Sequence, residues 1–317
     1  MKTSRFLRRA LVFLPFLVPL GCGLQPLAPP SEVVAPFEPS VLGDCPGLHN
    51  VFRLTDRLYS GCSPVGETGF QSLRDLGIRT VISVDGAQPE VALAGRFGMQ
   101  YVHLPMGYDA VPRETAVRIA RAVRDLPGPV YIHCHHGKHR GPAAAMAALR
   151  CESDRCPALA ALEFRRTAGT DPKYKGLYAS VEGAKPATPE EWEKAGVNFP
   201  EIAFTPDLTR LMVGIDERWD HLKSIRAAGW KSPADHPDID PAHEALQLVE
   251  NFREAARLKD NKNRGEAFRK LTTDAVEAAE VLERTLRAKP LRSEEAEQAF
   301  TRSATLCAKC HESYRDK

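Results

Sequence analysis

The stretch HCHHGKHR, residues 133–140, places Cys134 six positions before Arg140. The apolar, β-branched residues Gly128–Ile132 precede it, and the helix-forming residues Pro142–Arg150 follow it. Strand, tight loop and helix in this order form a cradle for a phosphate dianion, because the loop amides and the positive end of the helix face the anion. The spacing therefore predicts an α/β domain built around a phosphate-binding loop.

The residue types in this loop also predict its chemistry. The planar guanidinium of Arg140 can bind two phosphate oxygens. In that positive potential Cys134 ionises more readily than a free thiol and can act as a nucleophile. Two alternatives remain: the four histidines around Cys134 also suit a zinc or copper site, and the cysteine could be a buried structural thiol beside a solvated basic loop.

The wider segment 50–150 resembles the cysteine-based phosphatase superfamily, whose signature is His-Cys-x5-Arg. The runs NVFRLTDRLYSGCSP, LRDLGIRTVISV and YVHLPM are similar to its small bacterial dual-specificity-like branch. The resemblance implies that Cys134 attacks phosphorus to form a phosphocysteine, that Arg140 binds the phosphoryl oxygens and that His133 supports the thiolate. The residues of the loop that would surround the phosphate are His135, His136, Gly137, Lys138, His139 and Arg140.

The same family requires a general acid for the leaving oxygen. Asp109 follows the predicted strand Gln100–Leu104 and is the first candidate, with Asp85 at the end of the Thr80–Val84 strand as the second. The chain departs from the family at Gly141, where Ser or Thr usually helps the thiolate leave. The departure predicts slow turnover, or phosphate binding without efficient chemistry.

A second motif lies near the C-terminus, at Cys307-Ala308-Lys309-Cys310-His311. Cys-x-x-Cys-His is typical of covalent c-type haem attachment, with two thioether bonds and a proximal imidazole. A zinc half-site or a redox pair would be the alternatives. No second ligand pair lies nearby in the sequence to complete a zinc shell, and the motif lacks a βαβ context.

From Asp207 onward, apolar residues recur at three- and four-residue steps, which predicts four amphipathic helices. A four-helix bundle ending in Cys-Ala-Lys-Cys-His-Glu-Ser-Tyr-Arg is similar to the cytochrome c′ and cytochrome c-556 family. The resemblance implies haem c as cofactor, with His311 as the proximal iron ligand. Met212 on the first helix is the candidate distal ligand, although a methionine on an apolar stripe is more often ordinary core.

The N-terminus has the features of an export signal. Basic residues precede the apolar run Ala10–Leu20, which is too short for an ordinary membrane-spanning helix. Leu20-Gly21-Cys22 resembles a bacterial lipobox, which would make Cys22 the lipidated first residue of the mature protein; cleavage nearby to a soluble secreted product is the alternative. Export fits the haem motif, because the cytochrome family attaches haem c outside the bacterial cytoplasm.

The chain has 317 residues, enough for two domains, and a net charge of +2, which gives no overall basic character for binding nucleic acid. The predicted organisation is a signal peptide (1–22), a proline-rich tether (23–46), a phosphatase-like domain (47–182), a linker (183–206) and a haem bundle (207–317). Four cysteines have no role in either motif: Cys45, Cys62, Cys151 and Cys156. Local pairing, Cys45–Cys62 and Cys151–Cys156, suits an oxidising compartment, whereas a free Cys62 or Cys151 could trap Cys134 as a reversible disulfide.

The sequence therefore predicts an exported, lipid-anchored phosphatase acting on phosphorylated proteins or small phosphoesters, with a haem module that responds to redox state or to a gas and could have a redox partner. The alternative is an electron-transfer or gas-binding cytochrome whose phosphatase-like domain only binds an anionic partner.

Overall fold

The computed structural model describes residues 37–153, 156–262 and 264–316. Its α/β part contains one sheet of six strands in the order β1-β2-β3-β6-β4-β5. The strands are β1 (Ser40–Cys45), β2 (Leu48–Arg53), β3 (Leu58–Cys62), β4 (Thr80–Ser83), β5 (Gln100–His103) and β6 (Val130–Cys134). The first three are antiparallel, whereas β3, β6, β4 and β5 run parallel.

Seven helices accompany this sheet and cover both of its faces. They are α1 (Gly66–Asp75), α2 (Val91–Arg96), α3 (Arg113–Asp125), α4 (Arg140–Glu152), α5 (Ala158–Thr167), α6 (Lys175–Gly183) and α7 (Pro189–Lys194). Residues of α3, α4, α5 and α6 form an apolar core on one face, and residues of α1 and α2 form a core on the other. Because both faces are covered, every residue of the central strand β6 is buried. The sheet with flanking helices confirms the predicted α/β fold class.

The C-terminal part is helical, and its long helices lie where the apolar stripes predict them. They are α8 (Asp207–Ala227), α9 (Pro241–Arg257), α11 (Gly265–Arg287) and α12 (Ser293–Tyr314), with the short α10 (Lys259–Lys262) between α9 and α11. The side chain of Asp240 caps α9 by accepting from the N–H of His243 at 2.8 Å, and Pro241 occupies the first turn. The four long helices surround an apolar core of their own that includes Leu222, Leu248 and Leu282.

Two segments expected to be connectors contain regular structure. Strand β1 lies within the predicted tether and pairs with β2 as the edge of the sheet. The predicted linker contains α7, which begins with a capping box at Thr188 and Glu191. Arg113 holds Glu191 through two bonds of 2.8 and 2.7 Å, so this part of the linker packs on the α/β part instead of spanning a gap.

The signal peptide, Cys22 and the first part of the tether lie outside the described residues. Within the ranges that the structure covers, no helix combines the length and hydropathy needed to cross a membrane.

Candidate active site

The phosphate-binding loop connects the end of β6 to the start of α4. Cys134 is the last residue of the strand, and Arg140 is the first residue of the helix. Gly137 has φ 65° and lies against the backbone of Gly61 and Cys62, where a Cβ would overlap with it. The loop therefore requires glycine at this position to pass close to β3.

Three carbonyl groups of the loop accept hydrogen bonds from groups outside it. The carbonyl oxygen of His135 accepts from the N–H of Ser63 at 3.0 Å, that of Gly137 from the side chain of Asn50 at 3.0 Å, and that of Lys138 from the hydroxyl of Thr170 at 2.6 Å. In the part of the chain that is described, the amides of His136, Lys138 and His139 donate to no other group. Carbonyls that are engaged outside the loop, together with free amides, are the arrangement that binds an anion.

Arg140 is held in a fixed orientation at the base of the loop. Its Nη2 donates to Asp85 Oδ2 and to the hydroxyl of Tyr108, both at 2.8 Å, and the guanidinium lies 4.2 Å from the centre of the Tyr108 ring. The residue is only 8% exposed, yet its Nε has no hydrogen-bond partner among the described residues. A buried donor without a partner requires an explanation, and a bound phosphate oxygen would provide one.

The two candidate general acids occupy different environments. Asp85 is buried and accepts from Arg140, from the N–H of His135 at 2.7 Å and from the N–H of Ala87 at 3.0 Å. Burial opposes its charged form, but these donors outweigh burial, so the pKa of Asp85 lies below its usual value. These contacts hold Asp85 as an acceptor beside Arg140, which favours Asp109 as the proton donor.

Asp109 is exposed and follows Tyr108, the residue whose hydroxyl contacts Arg140. Burial raises the pKa of Tyr108 to about 12, so its hydroxyl remains protonated at neutral pH. The loop that carries Asp109 packs on α6, where the N–H of Val111 donates to Ser180 at 3.0 Å. Asp109 is thus the more accessible of the two candidate acids.

Gly141 lies directly behind Cys134. A Cβ at this position would be 3.1 Å from the amide nitrogen of Cys134 and 3.5 Å from its Sγ. A serine or threonine hydroxyl here would therefore reach the thiol, and glycine leaves the thiol without that donor.

His133 is fully enclosed beneath the loop. Its Nε2 is 2.6 Å from the hydroxyl of Tyr101, and its Nδ1 has no partner among the described residues. Burial lowers the pKa of His133 to about 4, so the imidazole is neutral at physiological pH. It can orient the backbone of Cys134 without adding a positive charge.

The other histidines lie at the rim of the loop. His139 packs against the ring of Tyr174, with ring centres 4.8 Å apart. His135 and His136 face α8 and approach Asp220 at 3.2 and 3.5 Å. Lys138 is exposed.

The Cys-x-x-Cys-His motif, Cys307 to His311, lies in the last turns of α12. Cys307 is partly buried and borders the helical core, as does Met212 of α8. Beyond the motif, the last residues of the described chain contact the α/β part: Asp316 accepts from the N–H of Tyr108 at 3.0 Å, and the guanidinium of Arg315 lies 3.9 Å from the centre of the Tyr108 ring. The residues Cys307, Cys310, His311 and Met212 thus occupy two helices that share one core, next to the α/β part.

No two of the described cysteines form a disulfide bond. The predicted pairs Cys45–Cys62 and Cys151–Cys156 are absent among them. Cys62 instead accepts from the N–H of His49 at 2.9 Å, and Cys151 accepts from Arg113 at 3.0 Å. Cys62 is, however, the register partner of Cys134 across β3 and β6. Burial raises the pKa of the Cys62 thiol to about 11, so it is protonated at neutral pH.

The sequence gives little or no indication that two further residues, Tyr108 and Asp220, contact this site. Tyr108 adjoins the candidate acid Asp109, but nothing in that position indicates contact with Arg140. Asp220 is separated from His135 by 85 residues and lies on a helix predicted only from its apolar stripe. Both contacts arise from the packing of distant elements.

No family model and no curated protein matches the chain. Solved phosphatase structures are similar to its α/β part. TpbA from P. aeruginosa is 26% identical, covers 43% of this chain and 85% of its own, and has a TM-score of 0.38. A DUF442 phosphatase from Shewanella putrefaciens CN-32 is 22% identical, with 44% and 95% covered and a TM-score of 0.36.

The core catalytic domain of the PP-IP phosphatase SIW14 from S. cerevisiae is 14% identical, covers 49% of this chain and 86% of its own, and has a TM-score of 0.34. All three TM-scores lie below 0.5, so these similarities do not assign a reaction to the chain. The chemistry of the loop is inferred from the loop's own residues. Those residues form a loop suited to phosphate, with a cysteine and an arginine at its two ends.

Proposed function

We propose that the α/β part hydrolyses phosphomonoesters, such as protein phosphotyrosine, through a phosphocysteine intermediate. The observation that carries this proposal is the buried Nε of Arg140, which has no partner among the described residues while Nη2 is fixed by Asp85 and Tyr108. With Nη2 fixed in this way and Nε left without a partner, Arg140 is prepared to bind a further anion beside the loop amides and Cys134.

The proposed reaction has two steps. The thiolate of Cys134 attacks phosphorus, the phosphorus–oxygen ester bond breaks, and the leaving oxygen takes a proton from Asp109. Water then attacks the phosphocysteine, Asp109 accepts a proton from that water, the sulfur–phosphorus bond breaks, and inorganic phosphate leaves. Arg140 and the loop amides stabilise the transferring phosphoryl group in both steps.

Hydrolysis of p-nitrophenyl phosphate by the full chain tests the proposal. We expect Cys134→Ser to remove activity, because the alcohol is a far weaker nucleophile. Asp109→Asn should lower kcat by about 100-fold or more for an alkyl phosphate, whose leaving oxygen requires a proton. Cys156→Ser is the matched control, since Cys156 is also buried but lies outside the loop from Cys134 to Arg140. Absence of activity in the wild-type protein, or activity that survives Cys134→Ser, would refute the proposal.

The second element of the proposal is a covalently bound haem c in the helical part. Cys307 and Cys310 would form the thioethers and His311 would bind the iron, which would supply redox chemistry or gas binding. The partly buried Cys307 and Met212 fit this role because both border the same apolar core. Met212 is the candidate for the opposite iron ligand.

Absorption spectra of the reduced protein, matured in a host that attaches haem c, test this element. We expect a covalent haem whose spectrum changes little with carbon monoxide if Met212 binds iron, and a large change in Met212→Ala. A large change already in the wild type would instead show an open iron position. A chain that contains no covalent haem would contradict the haem proposal altogether.

Export and lipid anchoring through Cys22 complete the proposal, because haem c attachment requires the space outside the cytoplasm. The alternative function is a cytochrome whose α/β part only binds an anionic partner, and the absence of a hydroxyl at Gly141 favours it. Inorganic phosphate that binds at Arg140 without any turnover of aryl phosphate would identify this second function.

A further inference from the structure

Three potential metal ligands from distant parts of the chain meet beside the phosphate-binding loop. His135 and His136 directly follow Cys134, and Asp220 lies in the middle of α8. Asp220 Oδ2 is 3.2 Å from His135 Nε2 and 3.5 Å from His136 Nε2. One ligand atom from each of the three residues lies within 4.8 Å of the other two.

The two separations between a histidine nitrogen and the Asp220 carboxylate agree with the geometry of a bound metal ion. A tetrahedral zinc ion holds nitrogen and oxygen ligands at about 2.0–2.2 Å, which places neighbouring ligand atoms about 3.3 Å apart. Two imidazoles and one carboxylate are also ligand types that zinc prefers, and they suit other divalent transition metals. An ion pair between Asp220 and one histidine would explain one of the two short distances but not the convergence of both rings.

The surroundings orient the three groups and leave one side open. Lys223 binds Oδ1 of Asp220, so that Oδ2 faces the imidazoles. The N–H of His135 donates to Asp85, which also accepts from Arg140, and this fixes the backbone next to the nucleophile. The side chains of His135, His136 and Asp220 are 32%, 42% and 28% exposed, so solvent can reach a fourth coordination position.

We propose that His135, His136 and Asp220 bind a divalent transition-metal ion of the zinc class, with a fourth position open to water. The ion joins the phosphate-binding loop to α8 and so connects the two parts of the molecule at the site of the chemistry. This assignment does not depend on phosphatase activity, because the metal would use the imidazole nitrogens of His135 and His136, whereas phosphate would be bound by backbone amides of the loop.

Equilibrium dialysis of the full, haem-loaded chain against zinc after chelator treatment tests the proposal. We expect about one zinc ion per chain, and a loss of affinity of about 10-fold or more in Asp220→Asn and in His136→Gln. Glu217→Gln is the matched control: it also removes one carboxylate charge from α8, but Glu217 pairs with Arg218 and does not belong to the three-residue group. Zinc bound at the C-terminal motif would not respond to Asp220→Asn.

X-ray absorption at the zinc edge of the wild-type protein gives a second readout that needs no variant. We expect two imidazole nitrogens and oxygen ligands at about 2.0–2.2 Å, without sulfur. Failure of the wild type to bind zinc would overturn the proposal. So would unchanged affinity in Asp220→Asn, or a spectrum dominated by sulfur ligands.

Discussion

Gly141 is the residue that most directly limits the second step of the proposed reaction. The Cβ of a serine here would lie 3.5 Å from Cys134 Sγ, close enough for the hydroxyl to donate to the departing thiolate. A hydrogen bond to a charged group is worth about 1.5 kcal/mol, which corresponds to about tenfold in rate. We therefore predict that Gly141→Ser raises kcat for p-nitrophenyl phosphate about tenfold relative to Gly141→Ala.

Gly141→Ala is the control because it introduces the same crowding against the amide of Cys134, at 3.1 Å, without the hydroxyl. Rapid-quench measurement of the phosphocysteine provides a second test: the intermediate should accumulate in the wild type and decline faster in Gly141→Ser. Equal turnover in the serine and alanine variants would show that release of the thiolate does not limit the rate.

At the scale of elements, helix α6 fixes the loop that carries the candidate acid. A Cβ at Gly176 would overlap with the carbonyl oxygen of Asp109, so the helix and the loop are in direct backbone contact. We predict that Gly176→Ala displaces Asp109 and lowers kcat by about tenfold or more for substrates with poor leaving groups. p-Nitrophenyl phosphate, whose leaving oxygen needs less protonation, should be affected much less.

Gly183→Ala is the matched control for this experiment. Gly183 ends the same helix, and the space around its Cβ position is open. The comparison is the ratio of kcat values for an alkyl phosphate and p-nitrophenyl phosphate. If Gly176→Ala lowers both rates equally, the helix affects the fold of the site and not the position of the acid.

At the scale of the whole molecule, the α/β part and the helical part have separate apolar cores. The cores of the α/β part extend from Leu48 to Ala195, and that of the helical part extends from Ile215 to Phe300. We predict that Leu222→Ala, at a fully buried helical position, costs about 2–5 kcal/mol and lowers the denaturant midpoint of the helical part alone. In urea, the circular dichroism signal of the long helices follows the unfolding of the helical part. Phosphatase activity follows the unfolding of the α/β part.

Leu73→Ala supplies the reciprocal measurement, because Leu73 is equally buried in the α/β part. Activity should be lost at lower urea in this variant, while most of the signal from the long helices remains. Equal shifts of both signals in both variants would show that the parts unfold together. Contacts such as those of Tyr108 with Arg315 and Asp316 would then couple the two cores strongly.

Features that depend on neighbouring residues were predictable from the sequence. The strand, loop and helix around Cys134 follow from the apolar run, the glycine and the helix formers in consecutive positions. The start of α9 follows in the same way from Asp240 and Pro241. The edge strand β1 was not predicted, because its exposed residues have no apolar alternation and its place depends on pairing with β2.

The choice between Asp85 and Asp109 shows the limit of such predictions. Both follow a strand in the sequence, and only the folded chain brings Asp85 onto Arg140 and leaves Asp109 exposed. The same holds for the cysteines, since proximity in sequence favoured pairs that the fold does not form.

Local spacing and periodicity were enough to predict the α/β class, the two ends of the loop from Cys134 to Arg140 and four long helices before the Cys-x-x-Cys-His motif. The way in which Asp85 and Tyr108 hold Arg140, and the meeting of Asp220 with His135 and His136, became clear from the folded chain alone. These contacts join residues separated by 32 to 85 positions, and their geometry follows from how the sheet and the helices pack.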